Sequence, residues 1–469
     1  MKRTTFDFPM SIIRDGREPL RTQVVRELRG AVQSGRLRPG SALPSTRSLA
    51  SDLGISRGLV VEAYEQLVAE GYLIARRGSA TRVAGRTTRP PQPRALPASV
   101  RSGNGAAPEQ YDFRPGIPDI SLFPRRAWLR ALRRAWAGDA SMLDYPEPHG
   151  PAAARAALAA YLNRSRATVA EEERIVLCTG FAQAARLVAE ALQTRGVYRI
   201  AVEDPGHVEQ CADIRAAGIE LVPVPVDDGG LRIDALRAAD VRAVLVTPAH
   251  QYPTGAVLAP ERRAALLEWA EAGQAYIVED DYDAEYRYDR APVGALQGLA
   301  PEHVIYIGSA SKMLAPSLRQ GWLLLPSALI DAVRQAKLSA DRGSPVVDQL
   351  ALGAFLEAGD LDQHLRRTRV IYRRRRDVLV EALRAHIPEL ELRGVAAGLH
   401  LMVDLPHQLN EAYVVEHAAA ERIRVYGARA YFINGNAARP GLLLGYGGIA
   451  ESQIEAGVKI LARIIHGPA

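Results

Sequence analysis

Cysteine, lysine and aromatic residues are scarce in this chain, and long apolar runs are missing. The 469 residues include two cysteines, Cys178 and Cys211, each isolated and without metal-ligand spacing. A disulfide framework and a cysteine-based zinc site are therefore excluded as organising features; no metal site is expected, and a reducing cytoplasm is. No stretch approaches the ~18 apolar residues of a membrane-crossing helix. The opening Met1-Lys2-Arg3-Thr4-Thr5-Phe6-Asp7 has no apolar core, so a secretory signal is not expected. Lysine occurs four times against 55 arginines. With 48% apolar and 24% charged residues the composition is that of a globular chain and argues against disorder. Its length suggests about two to four folding units.

The net charge of +6 is unevenly spread. Residues 1–110 hold 18 Lys and Arg against 9 Asp and Glu, whereas the remainder holds 41 against 44. All the excess positive charge lies in the first quarter, which suggests an anionic partner for that segment. Generic arginine richness is the alternative, and the partner reading is favoured over it.

Between Pro19 and Gly35, Leu20, Val24, Leu28 and Val32 recur at helical spacing. After the turn Arg38-Pro39-Gly40, Ser45 can cap a short helix carrying Leu49 and Leu53, which Gly54 closes. Ser56 can cap a third helix with Val60, Ala63, Tyr64, Leu67 and Val68, stopped by Gly71. Tyr72–Ile74 and Thr81–Val83 read as short strands around the basic tip Arg76-Arg77-Gly78-Ser79. Three helices and a basic hairpin give the order of a winged helix-turn-helix, an order also found in protein-interaction modules. In such a fold Ser56, Arg57 and Gly58 open the recognition helix. Arg57 can pair with guanine, while Ser45, Thr46, Arg47, Arg76, Arg77 and Ser79 can meet phosphates. Residues 85–110 lack periodicity and contain five prolines, so they read as an extended linker.

Beyond Tyr111 short apolar runs alternate with helical stretches, as in Ile175–Leu177, Arg199–Val202, Val241–Val246, Tyr276–Val278, Val304–Ile307 and Trp322–Leu325. That alternation predicts an α/β fold with a mostly parallel sheet, followed from about residue 344 by a smaller α+β unit. Lys312 stands just past an apolar run in Tyr306-Ile307-Gly308-Ser309-Ala310-Ser311-Lys312, with Arg319 following. A lysine there can condense with an aldehyde once its amine is neutral, and Ser309, Ser311 and Arg319 can hold a phosphate. Asp280 can keep a pyridine nitrogen protonated and Tyr282 can bond a phenolic oxygen. Gly180-Phe181 opens a helix whose free amides favour phosphate. Taken singly these residues have ordinary explanations: a solvated lysine, a helix-capping Asp280, a turn glycine.

Residues 15–83 resemble the GntR family of bacterial regulators through Leu37-Arg38-Pro39-Gly40, Leu43-Pro44-Ser45-Thr46-Arg47-Ser48-Leu49-Ala50, Gly54-Ile55-Ser56-Arg57, Ala63-Tyr64-Glu65-Gln66-Leu67 and Glu70-Gly71-Tyr72-Leu73. The chain departs from the family at Ala80 in the wing and at Leu59. Residues 111–469 resemble fold-type-I, pyridoxal-phosphate-dependent aminotransferases through the Ser309-Ala310-Ser311-Lys312 block, Pro316 and Arg319-Gln320-Gly321. This resemblance implies Lys312 as the Schiff-base lysine, Asp280 on the pyridine nitrogen and Tyr282 on the phenolic oxygen. Gly180, Phe181, Ser309 and Arg319 would surround the phosphate, and His207 would stack on the ring. Tyr145 resembles the tyrosine that reaches a neighbouring subunit's cofactor.

Head and body together resemble the MocR/GabR subfamily of transcriptional regulators. His250-Gln251-Tyr252-Pro253-Thr254-Gly255 carries Tyr252 where catalytic aminotransferases have asparagine, and Glu279-Asp280-Asp281-Tyr282-Asp283 is likewise subfamily-like. The resemblance implies a winged helix-turn-helix over 1–84, a linker over 85–110 and a body over 111–469 that binds pyridoxal 5'-phosphate. It further implies a head-to-tail homodimer that binds double-stranded DNA and senses the cofactor or an amino-compound effector. Leu443 occupies the place of the arginine that grips a substrate carboxylate, and leucine has no bidentate fork. Efficient transamination is therefore not expected, with Arg429 and Arg439 as candidates to compensate. An active aminotransferase with an accessory head is one alternative, and a cofactor-free module that binds another metabolite is a second.

Overall fold

The computed structural model describes all residues except 1–9, 11, 15–17, 76–78, 85–109, 289–292, 434–438 and 468–469. The chain forms two compact units, Met1–Ala106 and Ala107–Ala469. Arg76, Arg77 and nearly all of the expected linker lie outside the described residues.

The first unit holds α1 (Leu20–Gln33), α2 (Thr46–Leu53) and α3 (Arg57–Ala69), then β1 (Leu73–Ile74) and β2 (Arg82–Val83). The Ser45 hydroxyl accepts from the Ser48 amide at 3.1 Å, and Ser56 does the same for Leu59 at 3.4 Å, so each short helix starts on a side-chain cap. Gly54 ends α2 in the left-handed region, at φ 60°. Val24, Leu28, Leu49, Val60, Ala63 and Leu67 pack with Leu73 and Val83 into one core. β1 and β2 pair antiparallel with Leu73 opposite Val83, which seats the wing on the helices.

Along the second unit run β3 (Tyr111–Asp112), β4 (Ile175–Cys178), β5 (Arg199–Asp204), β6 (Glu220–Asp227), β7 (Gly230–Leu231), β8 (Ala243–Val246), β9 (Tyr276–Asp281), β10 (Val304–Ser309) and β11 (Gly321–Leu324). β12 (Glu391–Arg393), β13 (His400–Asp404), β14 (Ile423–Arg424), β15 (Tyr426–Gly427) and β16 (Gly441–Gly445) follow. Eight strands form one sheet in the order β4-β11-β10-β9-β8-β5-β6-β7. From β10 to β6 neighbours are parallel. β11 runs antiparallel between β10 and β4, and β7 is antiparallel to β6.

Alternation along each strand feeds two cores. Val202, Leu245 and Val278 point to the side covered by helices Phe181–Thr194 and Ile330–Asp341, whereas Ala201, Val244 and Ile277 point to the side of helix Pro260–Ala272. A second, antiparallel sheet β12-β13-β16-β15 packs with the long helix Asp360–His386 and with Glu451–His466. β3, the first strand of the unit, pairs in parallel with β14, so the start of the body is tied to its C-terminal part. Among the described residues no helix is long and apolar enough to cross a membrane.

Candidate cofactor site

The parallel strands end on one rim of the large sheet, where an α/β fold opens its crevice. β9 brings Asp280 and Tyr282 to that rim, and β10 brings Ser309, Ser311 and Lys312. A cavity of about 240 Å³ lies there, lined by Lys312, Asp280, Tyr282, His207, Tyr252 and Arg319. Phe181, Ser309 and Ser311 also line its walls, whereas Gly180 and Tyr145, expected with them, do not.

At one end the backbone is shaped for an anion. Gly180 caps the helix Phe181–Thr194 at φ 106°, a conformation L side chains rarely adopt. A Cβ on Gly180 would stand 3.2 Å from the Arg319 guanidinium. Arg319 itself adopts the left-handed region at φ 51°, just past Pro316–Leu318. The first amides of the helix and the Arg319 cation thus share one end of the cavity.

At the other end Asp280 is buried, and the Gln210 side-chain amide donates to its Oδ2 at 2.9 Å. Burial pushes its carboxyl up to about 7, against the lowering effect of that hydrogen bond. A buried carboxyl with one neutral donor is a place for a cationic N–H. The Lys312 amine is held below its ordinary value by burial, opposed by Asp283 and Asp280, which favours the neutral nucleophile. His207 is lowered to about 4 by burial and by Lys312. Its ring stacks on Tyr252 at 4.8 Å between centroids. Tyr282 lies 2.9 Å from His250 Nδ1, which is also 3.0 Å from the Asp283 carboxylate. Burial raises the Tyr282 phenol well above its usual value, so it remains a proton donor.

Gln210, Pro115 and Gly116 are among the wall residues that escaped the sequence reading. Gln210 stands one turn after His207 on the helix Val208–Ala216, a spacing that becomes informative only once the helix is known. Pro115 and Gly116 come from far upstream, and a Cβ on Gly116 would lie 3.3 Å from Lys312 Nζ. Tyr145 lies away from the cavity wall and is 87% exposed. Leu443 is fully buried in β16, packed with Tyr252 and Met402. Neither Arg429 nor Arg439 lines the cavity, and Arg439 is 3.2 Å from Glu391. In the head Ser45, Arg47, Ser56, Arg57, Gly58 and Ser79 are exposed and Thr46 is half-buried. Arg57 Nε lies 3.5 Å from Thr46 Oγ1, which joins the starts of α2 and α3.

Residues 118–434 match the family of aminotransferases class I and II, and residues 20–83 match the gntR family of bacterial regulatory proteins. The pyridoxine biosynthesis transcriptional regulator PdxR of Corynebacterium glutamicum is 34% identical over 459 residues, which cover 96% of each chain. The chain belongs to the MocR/GabR subfamily of GntR-family transcriptional regulators. A second relative of this MocR/GabR-type protein is the probable rhizopine catabolism regulatory protein MocR of Rhizobium meliloti, 32% identical over 96% of this chain and 94% of that one. The body of the regulator is similar to the multiple substrate aminotransferase of Thermococcus profundus, with a TM-score of 0.69 and 26% identity over 76% of this chain and 91% of that one. It is also similar to the alpha-aminoadipate aminotransferase LysN of Thermus thermophilus, with a TM-score of 0.68 and 26% identity over 76% and 92%.

Proposed function

We propose that this regulator binds pyridoxal 5'-phosphate in the cavity around Lys312 and changes its grip on operator DNA in response to the cofactor or to an amino-compound effector. The observation that carries the reading is the meeting of Lys312, Asp280, Tyr282 and Arg319 in one cavity of an aminotransferase-type body, in a chain whose head is of the gntR family.

The cavity fits that group by the chemistry of its donors. Arg319, Ser309, Ser311 and the Gly180–Phe181 turn would hold the phosphate. Asp280, oriented by Gln210, would take the ring N–H, and Tyr282 would donate to the phenolic oxygen. His207 and Tyr252 would flank the ring. When bound, the cofactor supplies an aldehyde that reacts with amines. Lys312 would supply the amine that faces it, and an effector amine would compete for the same position. Ser45, Thr46, Arg47, Ser56, Arg57, Gly58, Arg76, Arg77 and Ser79 would face DNA, with Arg57 reading bases.

Residues 85–110 would act as a linker and the part from about 344 as a small moving subdomain. The protein would work in the cytoplasm as a head-to-tail homodimer, with Tyr145 reaching the neighbouring site. Two heads on two half-sites make affinity sensitive to their separation. Leu443, where a carboxylate-gripping arginine is expected in the enzymes, favours regulation over turnover.

The test compares binding to the promoter region beside the gene by wild type and Lys312→Ala, with and without pyridoxal phosphate and candidate amines. Wild type is expected to change affinity with ligand and the variant to stay fixed. Equal, unchanged affinities for both proteins would refute the reading.

A further inference from the structure

The anion-binding turn is braced from behind by a chain of side chains that ends on a buried lysine. The Thr179 amide donates to Gln183 Oε1 at 2.9 Å, and the Thr179 hydroxyl lies 3.2 Å from the same oxygen. The Gln183 side-chain amide donates to Asp341 Oδ2 at 2.8 Å. Lys337 Nζ donates to both Asp341 oxygens, at 2.7 and 2.6 Å, and to Ser344 Oγ at 2.8 Å.

Lys337 is 0% exposed, on the helix Ile330–Asp341 that covers the sheet. Its ammonium has three N–H groups, and three acceptors meet them. With 55 arginines and four lysines in the chain, the composition favours arginine at any cationic position. An arginine would bring a planar fork with five N–H groups into an enclosed space that offers three acceptors. The site therefore calls for the compact cation.

What the brace holds is the direction in which the chain enters the helix Phe181–Thr194. Thr179 precedes Gly180, whose unusual φ turns the backbone so that the first helical amides face the cavity beside Arg319. Gln183 lies in that first turn and closes it back onto Thr179. Asp341 fixes the Gln183 side chain, and Lys337 fixes Asp341 while holding its charge. Asp341 Oδ1 also accepts from the Gly343 amide at 2.9 Å, so the brace is anchored at both ends by backbone.

We propose that Lys337, Asp341 and Gln183 are positioning residues that aim the Thr179–Phe181 turn and thereby make the cavity select a phosphorylated ligand over its unphosphorylated counterpart. The inference rests on the cofactor reading above and adds the residues that set its phosphate preference. None of the three needs to touch the ligand.

The experiment measures equilibrium binding of pyridoxal phosphate and of pyridoxal to full-length wild type, Gln183→Leu, Lys337→Met and Lys337→Arg. Wild type is expected to favour the phosphate ester. Gln183→Leu should weaken pyridoxal phosphate about tenfold, the size of one lost positioned hydrogen bond, and change pyridoxal by less than about twofold. Lys337→Met should narrow the same ratio, and Lys337→Arg should fail to restore it. Should the Lys337 variants not fold, Gln183→Leu and Asp341→Asn carry the test, checked by their melting curves. An unchanged ratio in Gln183→Leu, or an equal loss for both ligands, would overturn the inference and leave the cofactor reading standing. Failure of wild type to bind either ligand would overturn both.

Discussion

At the scale of single residues, Asp280 is placed for a partner and costs the protein stability without one. Its carboxyl stays protonated up to about 7 in the folded chain, whereas the unfolded chain ionises in the ordinary carboxylate range. Between those two values the folded state binds more protons, so its stability falls as pH rises across that window. In cofactor-free protein Asp280→Asn is therefore expected to melt higher than wild type by a margin that grows from pH 4 to pH 7. The same change should weaken pyridoxal phosphate at least ~10-fold, because a neutral amide cannot match a cationic ring N–H. Melting curves and equilibrium binding on the same samples check both halves, and they must move in opposite directions. Lys312, Asp280 and Tyr282 are legible in the sequence because each follows an apolar run that reads as a strand. Gln210, Pro115 and Gly116 are not, since their distance along the chain says nothing about which strand ends they will meet.

Among the elements, the head is the part most readily read from sequence, because its signals are local. Apolar residues at helical spacing, a serine before each short helix and glycines after them account for α1, α2 and α3 within a residue or two. Ser45→Ala removes the α2 cap and should cost the head about 1 kcal/mol, readable in denaturant unfolding. Arg57→Ala leaves the α3 cap in place and should instead cost about 1–3 kcal/mol in operator binding with little change on unrelated DNA, measured by competition. The large sheet was legible as α/β but not in its detail. β6 holds Pro223 and Pro225, which count against a strand, yet it lies next to the last strand of the sheet and is only partly buried, where missing N–H groups are tolerated. β11 reads like the parallel strands before it. The segment between β10 and β11 is too short for a helical crossover, so the chain turns back and inserts antiparallel beside β4.

For the whole molecule, charge and connectivity matter more than any one contact. Because the excess positive charge lies in residues 1–110, operator affinity should fall steeply with salt. A dimer using both heads should show about twice the logarithmic salt slope of a complex held by one. Titrations with and without ligand will show whether the effector releases one head, which halves the slope, or weakens both together, which does not. The pairing of β3 with β14 has a mechanical consequence. Pro115 and Gly116, at the wall beside Lys312, follow β3 by three and four residues. The cavity wall at Pro115 and Gly116 thus belongs to a strip of backbone stitched to the C-terminal part of the body by the β3–β14 pair. A ligand that displaces Pro115 and Gly116 would therefore load the β3–β14 pair before any other strand of the body.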